Sequence, residues 1–416
     1  MLHENSPQVA PTHLPLWRNH DYLLLLVSQC ISQLGTQASQ LAFPLLVYAF
    51  SGSAAWTGAA TGLVAWPFVV LCLPAGAFVD RLDRKRLMLM CDVSRGIILA
   101  SIPLAMWLGH LTLLHLCLAA LGEGICYTFF SLAEASCLPQ VVAPEQIAQA
   151  TGQQGVAAQL AYTIGPSLGG GLLALGRALP FLVDAASYAV SVAALLRIRG
   201  AFQQERKTEQ ARGNLRLEIA EGLRWLLGQR TIRFLALLAG VGNAVDNFVF
   251  LFFLVMLTRA GISPGIIGLG YALTGLAGIL GAGLSDKVQA RWGVGRVSVA
   301  TQVLMCMLLP LFFLAQRVPL LLLVAAPALA FLSILQGYVQ YAYRRTLIPD
   351  GLQGRVNSLF RLIAYGGPPL AILLTGLLLQ ISPTLTVGVF TALCAVVTLL
   401  TICHRDLRAV GPIATT

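Results

Sequence analysis

Charged residues are scarce in this chain of 416 residues. Asp, Glu, Lys and Arg make up only 11% of it, whereas ordinary soluble domains carry roughly 25%. Hydrophobic residues account for 57% of the sequence, and the mean hydropathy is +0.78. This composition excludes a soluble enzyme, because long apolar stretches need surroundings that tolerate apolar surface on every side. The chain is therefore predicted to lie in a lipid bilayer.

Sequence signatures of catalysis and cofactor binding are also absent. No GxxxxGKS or GxxxxGKT string occurs, so we do not expect ATP to drive an activity of this chain. The nine cysteines lie singly, which favours small buried apolar side chains over metal ligands or a disulfide framework. Of the six histidines, only His110 and His115 are close in sequence. We expect no cofactor and no metal, and a polytopic membrane enzyme is the less favoured alternative.

Twelve apolar runs are long enough to cross a bilayer, which takes about 20 residues in a helix. The loops between most of them are short, which leaves little room for a folded soluble domain. We therefore predict an all-α polytopic membrane protein with twelve transmembrane helices. The runs lie near 21–47, 55–77, 87–108, 112–134, 149–174, 178–196, 231–257, 264–285, 297–315, 319–342, 356–380 and 384–403.

The basic residues indicate how the chain is oriented in the membrane. The formal net charge is +10, from 27 Lys and Arg against 17 Asp and Glu. If the loops alternate between the two sides, 24 basic residues, Arg95 among them, fall on the side of the termini. Only Arg177, Arg259 and Arg317 fall on the other. The positive-inside rule then places both termini in the cytoplasm, and topology explains the basic surplus without a nucleic-acid partner.

A polar stretch divides the chain into two sets of six predicted helices. We expect cytoplasmic tails at 1–20 and 404–416, six-helix bundles at 21–196 and 231–403, and a cytoplasmic central loop at 197–230. The first 20 residues are too polar for a cleavable signal peptide, so the first helix is expected to be retained. Short matches recur between the halves at an offset of about 205 residues, such as Gly165-Pro166 and Gly367-Pro368. Two like-oriented halves around a central site is the geometry of one large class of transporters.

The most specific string is GAFVDRLDRKR, residues 76–86, between the second and third predicted helices. Gly76 permits close helix approach, Asp80 can cap the third helix or pair with a base, and the basic residues suit an anionic membrane face. A simple topology anchor has the same composition. The string resembles the signature loop of the major facilitator superfamily, in the form seen in macrolide-efflux-like and enterobactin-exporter-like members. The resemblance implies a gating loop in which Asp80, Arg81, Arg84 and Lys85 hold one conformation closed to the cytoplasm.

A second string, GPSLGG at residues 165–170, lies in the fifth predicted helix. Pro166 removes a backbone hydrogen bond, and Gly165 and Gly169 form a face of small residues, so a bent, closely packed helix is expected. Ordinary glycine packing explains the same residues. With Gly170, the string resembles the exporter-associated motif of drug and proton antiporters in the superfamily, although Ala161 replaces the first glycine of that motif. The resemblance implies export.

Six polar residues form a stripe on one face of the first predicted helix. Amides facing lipid would cost several kcal/mol, so the stripe is expected to face protein or water. We predict a polar wall of a translocation cavity, with interhelical hydrogen bonding as the alternative. Asn243, Gln336 and Tyr338 are predicted to add to this wall. The stripe consists of Gln29, Ser32, Gln33, Thr36, Gln37 and Gln40.

Acidic residues within apolar runs are the candidates for proton coupling, because an ionised carboxylate at the bilayer centre costs at least about 2.5 kcal/mol. Glu123 is the first candidate, and substrate contact or a buried structural pair are its alternative roles. Asp246 gives a second polar patch in the other half. Glu134 lies eleven residues beyond Glu123, where a salt bridge at a helix end is an equally good explanation. For Asp184 we favour structural hydrogen bonding.

Together these features predict a secondary transporter that exports an amphipathic small molecule, an antibiotic or a siderophore, in exchange for protons. The expected setting is a bacterial inner membrane, and the expected partners are the solute, protons and lipid. We expect a monomer, because the short loops offer no partner-binding module. An importer of the same fold is the closest alternative.

Overall fold

The computed structural model describes residues 15–79, 82–198, 224–348, 356, 359–360, 363–364, 366–408 and 410–411. In these ranges the chain is helical and contains no β-strand. The first bundle consists of α1 to α6 and the second of α7 to α12. The helices are α1 (His20–Ser51), α2 (Ala54–Val79), α3 (Arg84–Trp107), α4 (Leu113–Val141), α5 (Ile147–Leu175), α6 (Leu179–Arg197), α7 (Arg230–Arg259), α8 (Pro264–Trp292), α9 (Val294–Leu308, continued by Leu311–Ala315), α10 (Leu322–Leu347), α11 (Pro368–Ile381) and α12 (Pro383–Cys403).

Polar caps and left-handed glycines set the helix ends. The Asn19 side chain accepts a hydrogen bond from the Tyr22 amide at the start of α1, which satisfies an amide that has no partner within the helix. Gly52, with φ of 65°, ends α1 and allows the tight turn into α2. Asp83 caps α3 by accepting from the Arg86 amide at 3.1 Å. The sequence suggested Asp80 for this role, but Asp80 lies outside the described residues.

Nine of the described helices are long and apolar enough to cross a membrane by length and composition. α1 and α5 are as long but carry more polar residues, and 14 residues of α11 are described. Two helices run about two turns past their predicted ends. α4 ends at Val141 rather than near 134, and α8 ends at Trp292 rather than near 285. Helical hydrogen bonds continue where the apolar run stops, because a helix can extend beyond the hydrocarbon layer into the polar interface.

The two bundles meet along two pairs of helices. α5 packs against α8, and α2 packs against α11, whereas the other major contacts lie within one bundle. We call the end that holds the starts of α1, α3 and α5 the termini end, and the opposite end, with the α1–α2 turn, the far end. Each bundle has its own apolar core. In the second, Phe248 and Phe390 stack with ring centroids 4.4 Å apart.

Candidate transport cavity

A cavity of about 760 Å³ lies between the two bundles. Residues of ten helices line it, and most of them are apolar or aromatic. Its polar wall includes Thr36, Gln37 and Gln40 from α1, Gln159 from α5 and Asn247 from α7. A largely apolar cavity of this volume with a few polar groups matches the sites that hold drug-sized molecules.

Glycine contacts join the two bundles at the far end. A Cβ built on Gly170 of α5 would lie 2.5 Å from the Pro264 carbonyl oxygen and 3.0 Å from the Cα of Gly268 in α8. A Cβ on Gly58 of α2 would lie 2.9 Å from the Cα of Gly376 in α11. Any larger side chain would separate these backbones.

Two polar contacts add to this far-end closure. The Ser53 hydroxyl donates to Gln380 Oε1 at 3.2 Å, and Arg259 Nε donates to the Tyr48 hydroxyl at 3.1 Å. The cavity lies on the termini side of all these contacts, since its α5 residues precede Gly170 in the chain. Along α8, the lining residues Gly275 and Gly278 correspondingly follow Gly268. The structure therefore has its bundles closed at the far end.

The GPSLGG string places α5 against two helices at once. A Cβ on Gly165 would meet Cβ of Gln37, and one on Gly169 would meet the Ala38 carbonyl oxygen, so both glycines allow α1 to approach. Gly170 faces α8, as described above, and Pro166 lines the cavity. The predicted close packing is therefore present, and it links the first bundle internally as well as to the second.

Glu123 lies at the cavity wall in an ion pair with Arg95. Arg95 Nε and Nη2 lie 2.7 and 2.5 Å from Glu123 Oε1, and both side chains are largely buried. The Tyr188 hydroxyl donates to the same oxygen at 3.2 Å. Glu123 Oε2 has no hydrogen-bond partner among the described residues. The sequence-based topology count placed Arg95 in the cytoplasmic set, and this was wrong, because Arg95 lies within α3 and is neutralised by α4.

Asp184 of α6 is the centre of a second polar network, behind the cavity wall. It is fully buried and accepts hydrogen bonds from the hydroxyls of Ser39 and Ser187, with Thr36 at 3.5 Å. Thr36 also bonds the Tyr188 hydroxyl at 2.9 Å, so this network is continuous with that of Glu123. Asp184 therefore makes structural hydrogen bonds, which is the role expected for it.

Asp246 lines the cavity from the second bundle. It accepts a hydrogen bond from the Ser333 hydroxyl of α10 at 2.8 Å. Asn247 lines the cavity beside it and donates to the Asn243 carbonyl. Asn243 itself does not line the cavity, because its amide donates to the Ala364 carbonyl at 2.9 Å and so joins two helices.

Several predicted site residues lie away from the cavity. Gln29 is buried between α1 and α6, with its amide 3.5 Å from the Ser191 hydroxyl, and Gln33 is also absent from the wall. Gln336 donates to Gln302 at 3.2 Å inside the second bundle, and Tyr338 is half exposed on another face of α10. The stripe on α1 thus divides: Thr36, Gln37 and Gln40 line the cavity, whereas Gln29 lies against α6.

Glu134 lies on α4 but does not line the cavity. Among the described residues it has no ion pair, so the salt bridge expected at a helix end is not present there. The eleven residues after Glu123 carry it three turns towards the termini end, beyond the reach of the cavity.

The family model of the Major Facilitator Superfamily matches residues 25–343. The chain belongs to this superfamily. It is 27% identical over 375 residues to the multidrug efflux pump Tap of Mycobacterium tuberculosis, covering 85% of each chain. It is 25% identical over 380 residues to the enterobactin exporter EntS of Citrobacter koseri, covering 91% of this chain and 90% of EntS.

Solved structures agree on the fold. A bacterial homologue of the human lysosomal transporter Spinster, inward-facing and occupied, superposes with a TM-score of 0.74 at 15% identity. The superposition covers 96% of this chain and 100% of the other. The chain is thus a transporter of the major facilitator fold rather than an enzyme.

The loop predicted to act as a gate, residues 76–86, is only partly described. Asp80 and Arg81 lie outside the described residues. Lys85 Nζ donates to the Ile198 carbonyl at 2.5 Å, and Arg84 Nη1 donates to the Ser136 carbonyl at 3.2 Å, so both bases hold ends of helices within the first bundle. Gly76 has nothing within 4 Å of a built Cβ. Within the described residues, no neighbouring helix makes the close approach predicted at Gly76.

Sequence reasoning missed two groups of side chains in the site. The first is the pairing of Arg95, whose partner is 28 residues away on another helix. The second is an aromatic wall from the second bundle, formed by Phe250, Phe253 and Tyr271. Phe250 and Phe253 lie four and seven residues after Asp246, a helical spacing that could have indicated a shared face.

Proposed function

We propose that this chain is a proton-coupled exporter of an amphipathic small molecule, working by alternating access. The observation that carries the proposal is the Glu123–Arg95 pair at the wall of a cavity closed at one end. Its relatives by sequence are named as a multidrug efflux pump and an enterobactin exporter. Both names support export over import, as does the GPSLGG string.

The basic loops support cytoplasmic termini in a bacterial inner membrane. The termini end of the cavity is then the cytoplasmic end, and the structure is inward-facing. In this orientation Gly58, Gly170, Gly268 and Gly376 form the closed external gate. Residues 76–86 are then on the cytoplasmic face, where the proposed gating loop closes the opposite, outward-facing conformation.

In the proposed cycle the solute enters the cavity from the cytoplasm and leaves on the other side. A proton then reaches Glu123 from outside, where Oε2 offers an acceptor without a competing bond. Protonation removes the charge that Arg95 pairs with, which weakens the α3–α4 contact and favours the return to the inward-facing state. Asp246 is the second candidate proton carrier, since it also lines the cavity.

Proteoliposomes test this proposal. A panel of antibiotics and of catechol and hydroxamate chelators is first screened for accumulation in deletion and overexpressing cells. The compound selected is then followed in vesicles with an imposed pH gradient. Glu123→Gln is expected to abolish gradient-driven flux, and Glu145→Gln, an exposed change of the same chemistry, is expected to preserve it. Equal flux after the gradient is collapsed and after Glu123→Gln would exclude proton coupling.

A further inference from the structure

The two bundles contribute unequal charge to the cavity. Its described wall contains two carboxyl groups, Glu123 and Asp246, and no Lys, Arg or His. The charge of Glu123 is balanced by Arg95. In the described part of the chain the one side chain bonded to Asp246 is Ser333, whose neutral hydroxyl cannot balance a charge. An uncompensated carboxyl group therefore faces the cavity from the second bundle.

Aromatic rings line the same wall, where Phe250 and Tyr271 are partly exposed and Phe253 is almost fully buried. Asp246, Phe250 and Phe253 are spaced by four and three residues, so they share one face of α7, and all three line the cavity. Tyr271 of α8 lies against both rings, with centroids 5.1 Å from Phe250 and 4.8 Å from Phe253. The Tyr271 hydroxyl donates to the Phe250 carbonyl at 2.6 Å, which fixes the ring in place.

This combination suits a positive ligand. A carboxylate in a low-dielectric site is stable only when a counter-charge accompanies it. Aromatic faces attract organic cations and also bury their apolar parts. A negatively charged chelator would instead place like charges together beside Asp246, a repulsion that water does not screen in such a site.

We infer that the wall formed by Asp246, Phe250 and Tyr271 binds the charged group of an amphipathic organic cation. Asp246 pairs with the positive charge, and the Phe250 and Tyr271 rings pack against the apolar body of the molecule. This inference rests on the proposed function and specifies its substrate class: cationic drugs are selected, and anionic siderophores are rejected. Glu123 and Arg95 remain together on the opposite wall and add no net charge.

A pair of probes of equal shape and opposite charge tests the inference. Tetraphenylphosphonium and tetraphenylborate differ in charge but hardly in size. Binding of each to purified protein is measured by equilibrium dialysis, with empty detergent micelles subtracted. The unmodified protein is expected to bind the phosphonium at least about tenfold more tightly, because one charge-assisted contact in a buried site is of that order.

Substitutions then locate the selectivity. Asp246→Asn is expected to remove the preference for the phosphonium and to leave borate binding unchanged or stronger, whereas Asp246→Glu is expected to keep the preference. Phe250→Leu is expected to weaken phosphonium binding about fivefold, in line with a lost cation–π contact. Asp406→Asn removes a carboxyl group from the exposed C-terminal turn and is expected to change neither probe.

Equal binding of the two probes by the unmodified protein, or tighter binding of the borate, would overturn the inference without any variant. A preference that survives in Asp246→Asn would also overturn it. Should Asp246→Asn fail to fold, the unmodified protein and Phe250→Leu still decide. These binding measurements use no pH gradient. Charge-selective binding without gradient-driven flux would therefore refute only the proposed proton coupling. Gradient-driven flux of an anion would refute only the inferred substrate class.

Discussion

Arg95 and Glu123 form an ion pair within the first bundle, where each charge depends on the other. Both groups are largely removed from solvent, so neither can be hydrated if its partner is lost. The guanidinium carbon of Arg95 lies over the Tyr188 ring, 4.3 Å from its centroid, and this contact adds a second restraint on the guanidinium group. The pair thus holds α3, α4 and α6 together beside the cavity.

Removing only one partner is expected to destabilise the protein. Arg95→Leu should cost about 3–5 kcal/mol, because it leaves an uncompensated carboxylate in the bundle. Arg95→Leu combined with Glu123→Leu should recover most of that loss. The measurement is the free energy of unfolding in detergent, with Glu145→Gln as the control. A double variant that is less stable than Arg95→Leu would show that the pair itself, rather than the unpaired charge, matters.

The sequence identified one member of this pair and misplaced the other. Glu123 stands out because its neighbours in the chain are apolar. Arg95 lies near the charged start of an apolar run, so it was counted with the cytoplasmic bases. Its partner is on a different helix, and the register between two helices depends on packing that a single sequence does not display.

At the scale of the element, α5 contacts two helices, α1 and α8, through glycines. Gly165 and Gly169 face α1, and Gly170 faces α8 across the boundary between bundles. The neighbouring Gly171 has nothing within 4 Å of a built Cβ. Three consecutive glycines within one turn of α5 therefore differ in what they contact: Gly169 faces α1, Gly170 faces α8 and Gly171 faces neither.

Gly170→Leu is expected to prevent closure at the far end, because its side chain would displace the α8 backbone. Gly171→Leu, the matched control, is expected to leave closure intact. Spin labels at Leu175 and Ile266, both exposed, would report the distance between α5 and α8 in a cysteine-free background. The Gly170→Leu distance distribution should shift to longer values, and an unchanged distribution would contradict the role assigned to this seam.

The string on α5 could be predicted as a site of close packing, because glycines at helical spacing expose backbone. The neighbour that each glycine contacts could not be predicted. The same limit applies to the α1 stripe, where Gln37 faces the cavity and Gln29 bonds towards Ser191 of α6. Periodicity assigns residues to a face of a helix, but a helix that passes several partners presents the same face to different surroundings along its length.

At the scale of the whole molecule, the far-end contacts decide which side of the cavity is open. The Ser53 and Gln380 side chains meet there across the two bundles. A Ser53→Cys, Gln380→Cys pair should therefore form a disulfide that locks the bundles and stops transport. Reduction of the disulfide with dithiothreitol should restore transport. Flux in vesicles with and without oxidant is the measurement.

Ser53→Cys alone is the control and should be insensitive to oxidant. Full transport by the oxidised double variant would mean that the bundles need not separate at this end.

The helix count and the two-bundle plan followed from hydropathy and the internal repeat. Closure at the far end could not be predicted from the sequence. The same residues must form both the open and the closed conformation, so composition favours neither.

The far-end gate has a consequence for the speed of switching. Where Gly58 meets Gly376 and Gly170 meets Gly268, backbone touches backbone, and no side chain interlocks. Separating these backbone surfaces requires no change of side-chain rotamer and creates no unfilled packing space. Resistance to separation then comes from the Ser53–Gln380 and Arg259–Tyr48 contacts and from the bending stiffness of the four helices that carry the glycines. Substitutions that change these two contacts, or that stiffen the helices, should therefore change the rate of switching more than conservative changes on the faces beside the glycines.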